Sequence, residues 1–427
     1  MKVSVVGLGV EGKEAIKSLF SYGYEVYGTD LSQSVDMSDV KRYLKEKNKT
    51  DNKPKLTIEL GTNNINKILS SDLILISPGL WKSKTANKLK KSNKLISDVL
   101  VKHKTIPTIA ITGTNGKTTT TTMLKKILEK NGRKILVGGN AGGGFFGYTD
   151  LILKAEKNGY ELMIVEVCDM TIEFSDYFFN FDMIGLTNIG DDHIDVHGSI
   201  NQYKQSLLKL FKNKTVFLNS NEEFRDEVEN VAKEVIYYDD IPDINLKTFG
   251  KFNQLNGGLA SSISKYLNVD YNVIKESLQN FHEVEGRLKL INLNNSKVFI
   301  GKTDNVHATE SILSEIKNVD IAFIGTSRTK ETYRLDILDS IVKYNPKKII
   351  LFKGLSESFD LSLNRLKKLK YKGEIILSNS IKETLDLILK SDKDGSNDNI
   401  FIGGNGQEVI TELQKLLKQK SSTNRAT

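Results

Sequence analysis

Three stretches of this chain hold residues whose types and spacing suit chemistry on phosphates. The first is Thr112-Gly113-Thr114-Asn115-Gly116-Lys117-Thr118-Thr119, which follows the apolar run Ile106–Ile111 and precedes a helix-like segment, Thr119–Lys130. Strand, glycine-rich turn and helix in that order make a phosphate-binding loop: backbone amides and the helix dipole face the anion. Gly113 and Gly116 allow close backbone approach, Lys117 supplies a cation to the β- and γ-phosphates, and Thr118 offers a hydroxyl to Mg²⁺. Ile111 stands where the general motif has its first glycine, so this is the compact form of the loop. The second stretch is Gly7-Leu8-Gly9-Val10-Glu11-Gly12, again between a strand and a helix, with Asp30 closing the next strand. Alone it reads as a dinucleotide fingerprint; beside a second phosphate loop it argues against a plain dehydrogenase.

The third stretch, residues 187–198, contains Asp191, Asp192, His193, Asp195 and His197. So many ionisable groups are costly to bury without partners. They follow the apolar strand Met183–Leu186, at the carboxyl edge of a sheet. Glu166 closes another apolar strand, Leu162–Val167, where a Mg²⁺ ligand is expected. Asn253 and Asn256 offer amide donors and acceptors to a base or ribose, and serve equally well as helix caps. Arg287, at a segment boundary, reaches a phosphate if domains close.

The elements that must position these groups alternate along the chain. Apolar strands at Val3–Val6, Glu25–Tyr27, Leu73–Ile76, Ile321–Ile324, Ile349–Phe352, Ile375–Leu377 and Ile400–Ile402 are separated by charged, helix-like segments. This implies α/β architecture with mostly parallel sheets. With 427 residues, about three domains are expected: 1–104, 105–285 and 286–427. No apolar run is long enough to span a membrane, and the start lacks a secretory layout, so a cytoplasmic protein is expected. The single cysteine, Cys168, excludes a disulfide framework and a cysteine-based zinc site. A net charge of +8 comes from lysines scattered among acids; it suits anionic nucleotide substrates, not a nucleic-acid surface.

Taken in order, these residues resemble the Mur ligase family, the ATP-dependent amino-acid ligases of cell-wall peptide synthesis. Thr112–Thr119 resembles the family ATP loop. Thr187-Asn188, Asp192-His193, Asp195 and His197-Gly198 are similar to its T-N-x-x-x-D-H-x-D-x-H-G segment. Gly7–Gly12 and Ser77-Pro78-Gly79 resemble the first domain of MurD-type members. Gly138-Gly139-Asn140 resembles a family turn, and Gly250, Asn253 and Asn256 resemble G-x-H-N-x-x-N with Phe252 replacing the histidine. The resemblance implies three domains: a Rossmann-like substrate domain, a central P-loop ATPase domain and a Rossmann-like C-terminal domain that binds the amino acid.

It also implies roles. Gly113, Thr114, Asn115, Gly116, Lys117, Thr118, Thr119, Asn256, Arg287 and Lys302 would bind ATP. Thr118, Glu166 and His193 would hold Mg²⁺, and Lys117, His193 and Glu166 would be catalytic. Gly7, Leu8, Gly9, Val10, Gly12 and Asp30 would take a UDP-linked precursor. A monomer, with no nucleic-acid partner, is expected.

The departures are specific. Leu207 holds the register of the family's carbamylated lysine, four residues after Tyr203. Lys302 and Asn305 fall in a MurD-like stretch whose leading Asp is replaced by Ile300, and Gly403-Gly404-Asn405-Gly406 stands where MurD has a serine-rich loop. In these departures the chain is most like the archaeal pseudomurein peptide ligases. A MurD-type D-glutamate ligase, a folate polyglutamylating ligase, an NAD oxidoreductase and a conformational ATPase are the alternatives.

Overall fold

A computed structural model describes residues 1–47, 54–190, 199–394 and 397–423, with side chains described as far as residue 421. The strands form three sheets, each wrapped by helices. The first holds β1 (Lys2–Val6), β2 (Glu25–Asp30), β3 (Leu56–Leu60) and β4 (Leu73–Ile76), ordered β3-β2-β1-β4 and all parallel. The second holds β5 (Thr108–Thr112), β6 (Ile135–Gly139), β7 (Leu162–Glu166), β8 (Met183–Leu186), β9 (Thr215–Asn219) and β10 (Glu234–Tyr238). Its order, β10-β9-β8-β5-β7-β6, is again parallel throughout. The chain places β6 and β7 on one side of β5 and then β8, β9 and β10 on the other. The order therefore reverses between β5 and β8, and ligands of open α/β sheets bind outside the carboxyl ends at such a point.

The third sheet holds β11 (Lys289–Asn292), β12 (Ser296–Ile300), β13 (Ile321–Gly325), β14 (Lys348–Phe352), β15 (Glu374–Ser378) and β16 (Asp398–Gly404). Its order is β11-β12-β16-β13-β14-β15, with β11 antiparallel to β12. Helices cover both faces. Ile349, Leu351 and Phe401 pack into one core, and Ile350, Phe352, Ile400 and Ile402 into the other. That is the strand period of two, with both sides apolar because both are buried.

Contacts divide the chain into two compact units. One contains the first two sheets; the other contains the third sheet with Asp240–Gly257. Within the first unit, Trp81 makes T-shaped contacts with Phe174 at 5.4 Å and Phe178 at 5.6 Å between ring centroids. The Lys90 ammonium lies 3.6 Å over the Trp81 ring. His103, on the connector between the sheets, is fully buried, with Nε2 2.7 Å from the Phe178 carbonyl. Burial pushes its imidazole down to about 4. Among the described residues no helix is long and apolar enough to cross a membrane.

Candidate active site

The loop after β5 is built on two glycines. Gly113 has φ +127°, and a Cβ there would lie 2.2 Å from the Thr187 hydroxyl. Gly116, at φ +86°, starts the helix Lys117–Lys130. Both are left-handed conformations that favour glycine. The segment after β8 braces the loop. Thr114 N–H donates to the Asn188 carbonyl (2.9 Å), Asn115 N–H to Asn188 Oδ1 (3.0 Å), and Thr187 Oγ1 to the Asn115 carbonyl (2.6 Å). The Lys117 ammonium donates to the carbonyls of Gly113 (2.5 Å) and Thr114 (2.8 Å), so it is held against the loop. Thr118 and Thr119 are buried at the helix start.

Register places Glu166 opposite Ile111, one strand from the loop. Its side chain is fully buried. Oε1 accepts from Asn140 Nδ2 at 3.1 Å, while Oε2 has no hydrogen-bond partner among the described residues. A buried carboxylate oxygen without a donor is costly, and a cation relieves the cost. Gly143 packs so closely that a Cβ there would lie 2.0 Å from Glu166 Oε1. Glu166 therefore fits a hard cation, and the Thr118 hydroxyl, at the start of the helix one strand away, is of the type that would share it. The third expected ligand, His193, lies outside the described residues, as do Asp192, Asp195 and His197. Cys168 is buried, and burial, with Asp169 beside it, pushes its thiol well up; it is not a poised nucleophile.

The loop after β1 has the same strand–turn–helix form and a different lining. Gly7, at φ +92°, faces the Ser77-Pro78-Gly79 turn; a Cβ there would lie 2.8 Å from Ser77 Cβ. Gly9 starts the helix Val10–Ser21, and Val10 is exposed. Asp30 is held by backbone: Oδ2 accepts from Leu8 N–H (2.7 Å) and Oδ1 from Ser32 N–H (2.8 Å). Beyond it opens a cleft of about 360 Å³, lined by Leu31, Thr62, Asn63, Ile65, Lys84 and Lys88. The sequence reading missed these residues. Their legible signal was Lys84 and Lys88, one turn apart on the helix Lys84–Leu89.

In the other unit, Asn253 and Asn256 lie inside the helix Lys251–Tyr266, not at its cap. Asn253 Nδ2 donates to the Phe249 carbonyl (2.7 Å), and Asn256 Nδ2 to Asn253 Oδ1 (3.2 Å). Arg287 precedes β11, and its carbonyl accepts from Gln414 Nε2 at 2.7 Å. Lys302 follows β12 and pairs with Asp304 at 3.2 Å. Asp304 also pairs with Arg334, which donates to Asn405 Oδ1 at 3.3 Å. Burial would raise the Asp304 carboxyl, but Lys302 and Arg334 outweigh it and hold the group well below the usual carboxylate range. Asn305 caps the helix Val306–Ile316, accepting from Ala308 N–H at 2.8 Å. The first unit thus gathers Gly113–Thr119 and Glu166 around one point and Gly7–Gly12 with Asp30 around another. Asn256, Arg287 and Lys302 belong to the second.

A model of the Mur ligase middle domain matches residues 111–266. The UDP-N-acetylmuramoylalanine–D-glutamate ligase of Francisella tularensis is 30% identical over 321 residues, spanning 68% of this chain and 73% of its own. The chain belongs to the Mur ligase family. It is therefore an ATP-dependent amide-forming ligase of the Mur type. Two solved relatives share its three-domain α/β fold. A pseudomurein peptide ligase type C from Methanothermus fervidus has a TM-score of 0.58 at 21% identity, covering 98% of this chain and 99% of that one. The UDP-N-acetylmuramate–alanine ligase MurC of Thermotoga maritima has a TM-score of 0.63 at 18% identity, covering 99% and 100%.

Proposed function

We propose that this Mur ligase joins an amino acid to the carboxylate of a UDP-linked cell-wall precursor, in pseudomurein peptide synthesis, inside the cytoplasm. The reaction has two steps. The precursor carboxylate attacks the γ-phosphate of ATP, giving an acyl-phosphate and ADP. The amine of the incoming amino acid then displaces phosphate, and the amide forms. The amides of Gly113–Thr118 and the Lys117 ammonium hold the phosphoryl oxygens as charge shifts toward the leaving ADP. Thr118 and Glu166, with His193, would hold Mg²⁺, which supplies charge neutralisation on those oxygens. Asn256, Arg287 and Lys302 are assigned to the nucleotide, and the carboxyl ends of the third sheet to the amino acid. The turn at Gly7–Val10 takes the precursor's diphosphate, and the Leu31–Lys88 cleft takes the rest of its nucleotide.

The observation that carries the pseudomurein reading is the stretch Gly403–Gly406, unlike the serine-rich MurD loop, in which Asn405 Oδ1 accepts from the Arg334 guanidinium that pairs with Asp304. The identity to the Francisella enzyme favours a second reading, a D-glutamate ligase acting on UDP-N-acetylmuramoylalanine. Both are tested by one screen: Mg-ATP, murein-type and pseudomurein-type UDP acceptors, and single amino acids, read by phosphate release and product mass. One residue gained on a pseudomurein acceptor alone supports the proposal. A gain of D-glutamate on the murein acceptor replaces it with the second reading, and ATP hydrolysis without any new amide sinks both.

A further inference from the structure

Glu11 sits within the first glycine loop, yet its side chain does not serve that loop. Oε1 accepts from Ala141 N–H at 2.6 Å, and Oε2 from Tyr148 N–H at 3.4 Å. The first amide belongs to the glycine-rich loop after β6, and the second opens the helix Tyr148–Lys157 that ends this loop. A Cβ at Gly147 would lie 2.7 Å from Glu11 Oε2, so position 147 has no room for a larger residue while Glu11 is docked.

The loop that Glu11 grips also carries Asn140. Asn140 Nδ2 donates to Glu166 Oε1, and its backbone N–H donates to the Glu166 carbonyl at 3.0 Å. The Asn140 Oδ1 is fixed in turn by Gly142 N–H at 3.1 Å. Glu11 holds the peptide unit between Asn140 and Ala141, and Asn140 holds the carboxylate assigned to the metal. A chain of direct hydrogen bonds therefore runs from the helix that begins at the precursor loop to Glu166. Nothing in the ligase chemistry requires a carboxylate at position 11; a small residue would complete the glycine turn equally well. Burial pushes the Glu11 carboxyl up to about 7, against the pull of the Ala141 and Tyr148 amides.

We propose that Glu11 is a positioning residue for the metal site, setting the orientation of Glu166 through Asn140 and so tying the precursor loop to the Mg–nucleotide site. The inference rests on the ligase reading above. Groups that orient a metal ligand typically change metal affinity by about 10- to 100-fold when removed.

The test is ADP binding to the full chain by calorimetry, in excess Mg²⁺ and in EDTA. Glu11→Ala should weaken Mg-ADP about tenfold while leaving metal-free ADP affinity and the thermal midpoint unchanged. Glu11→Gln should fall between, since its amide oxygen can still accept from Ala141; it also keeps the test valid if the alanine variant does not fold. Adding Asn140→Ala to Glu11→Ala should cause little further loss, because both act on the same carboxylate. Wild-type Mg-ADP affinity in both Glu11 variants overturns the inference alone. Equal weakening with and without Mg²⁺ also overturns it, leaving Glu11 a structural tie. A wild-type protein that binds no Mg-ADP overturns the ligase reading with it.

Discussion

The loops after β1 and β5 share one backbone plan and differ in the residues that come after the glycine that starts each helix, Gly9 and Gly116. Each leaves a strand through a left-handed glycine and enters a helix with no side-chain cap. The β5 loop continues into Lys117-Thr118, a cation and a hydroxyl. The β1 loop continues into Val10-Glu11, an exposed apolar group and a carboxylate turned away toward Ala141. The plan makes an anion site in both; the two residues after it decide the chemistry. Under the proposed function, the β5 loop would neutralise a triphosphate in reaction, and the β1 loop would hold a diphosphate through amides alone.

Four experiments press on that contrast. Lys117→Ala should lower turnover about a thousandfold, the cost of losing a charge-stabilising donor, with the fold intact; a phosphate-release assay beside thermal melting checks both. Comparable residual turnover would make the two loops functionally alike. Next, Gly12→Ala should destabilise by about 3 kcal/mol, because its Cβ would lie 1.9 Å from the Gly7 carbonyl. Gly9→Ala meets nothing within 4 Å, so it should fold normally and instead raise the KM for the UDP acceptor. Urea unfolding and acceptor titration separate the pair.

A smaller effect concerns the seam that keeps both loops in one unit. His103 is neutral when folded and titrates down at about 4; when unfolded it titrates near 6.5. Between those values the unfolded chain binds the extra proton, so stability rises with pH and is lost as pH falls from about 6.5 toward 4. The expected loss is about 2–3 kcal/mol, and urea unfolding of wild type against His103→Gln at pH 7 and pH 5 should reveal it as a difference absent from the variant. Last, Leu207 is fully buried on the helix Ile200–Phe211. No carbamate can form there, so removing dissolved bicarbonate should leave turnover unchanged; a drop would place a carbamylated lysine elsewhere.

Much of this was legible before any coordinates. The strands Leu73–Ile76 and Met183–Leu186 appear with the expected bounds, because a short apolar run between polar breaks has few other solutions. Others shifted slightly: the phosphate-loop strand is Thr108–Thr112, since Pro107 cannot donate to a ladder. The hairpin β11–β12 escaped notice because Lys289–Asn292 has only two apolar residues and pairs at an edge. At the site, loop glycines announce themselves by type and spacing. Partners distant in sequence do not: the bond between Glu11 and Ala141 spans 130 positions. The helix Lys251–Tyr266 likewise absorbed the two asparagines read as possible caps, because Asn253 finds its acceptor one turn back.

The one tryptophan of the chain lies where the first two sheets meet. Trp81 is 6% exposed, boxed by Phe174, Tyr177 and Phe178. The protein thus carries its own optical gauge of that junction, with no competing indole. Its emission should be blue while the sheets are docked and turn red when water reaches the ring. Followed during chemical unfolding beside circular dichroism, the colour change would report whether the first sheet comes away before the helices melt or together with them.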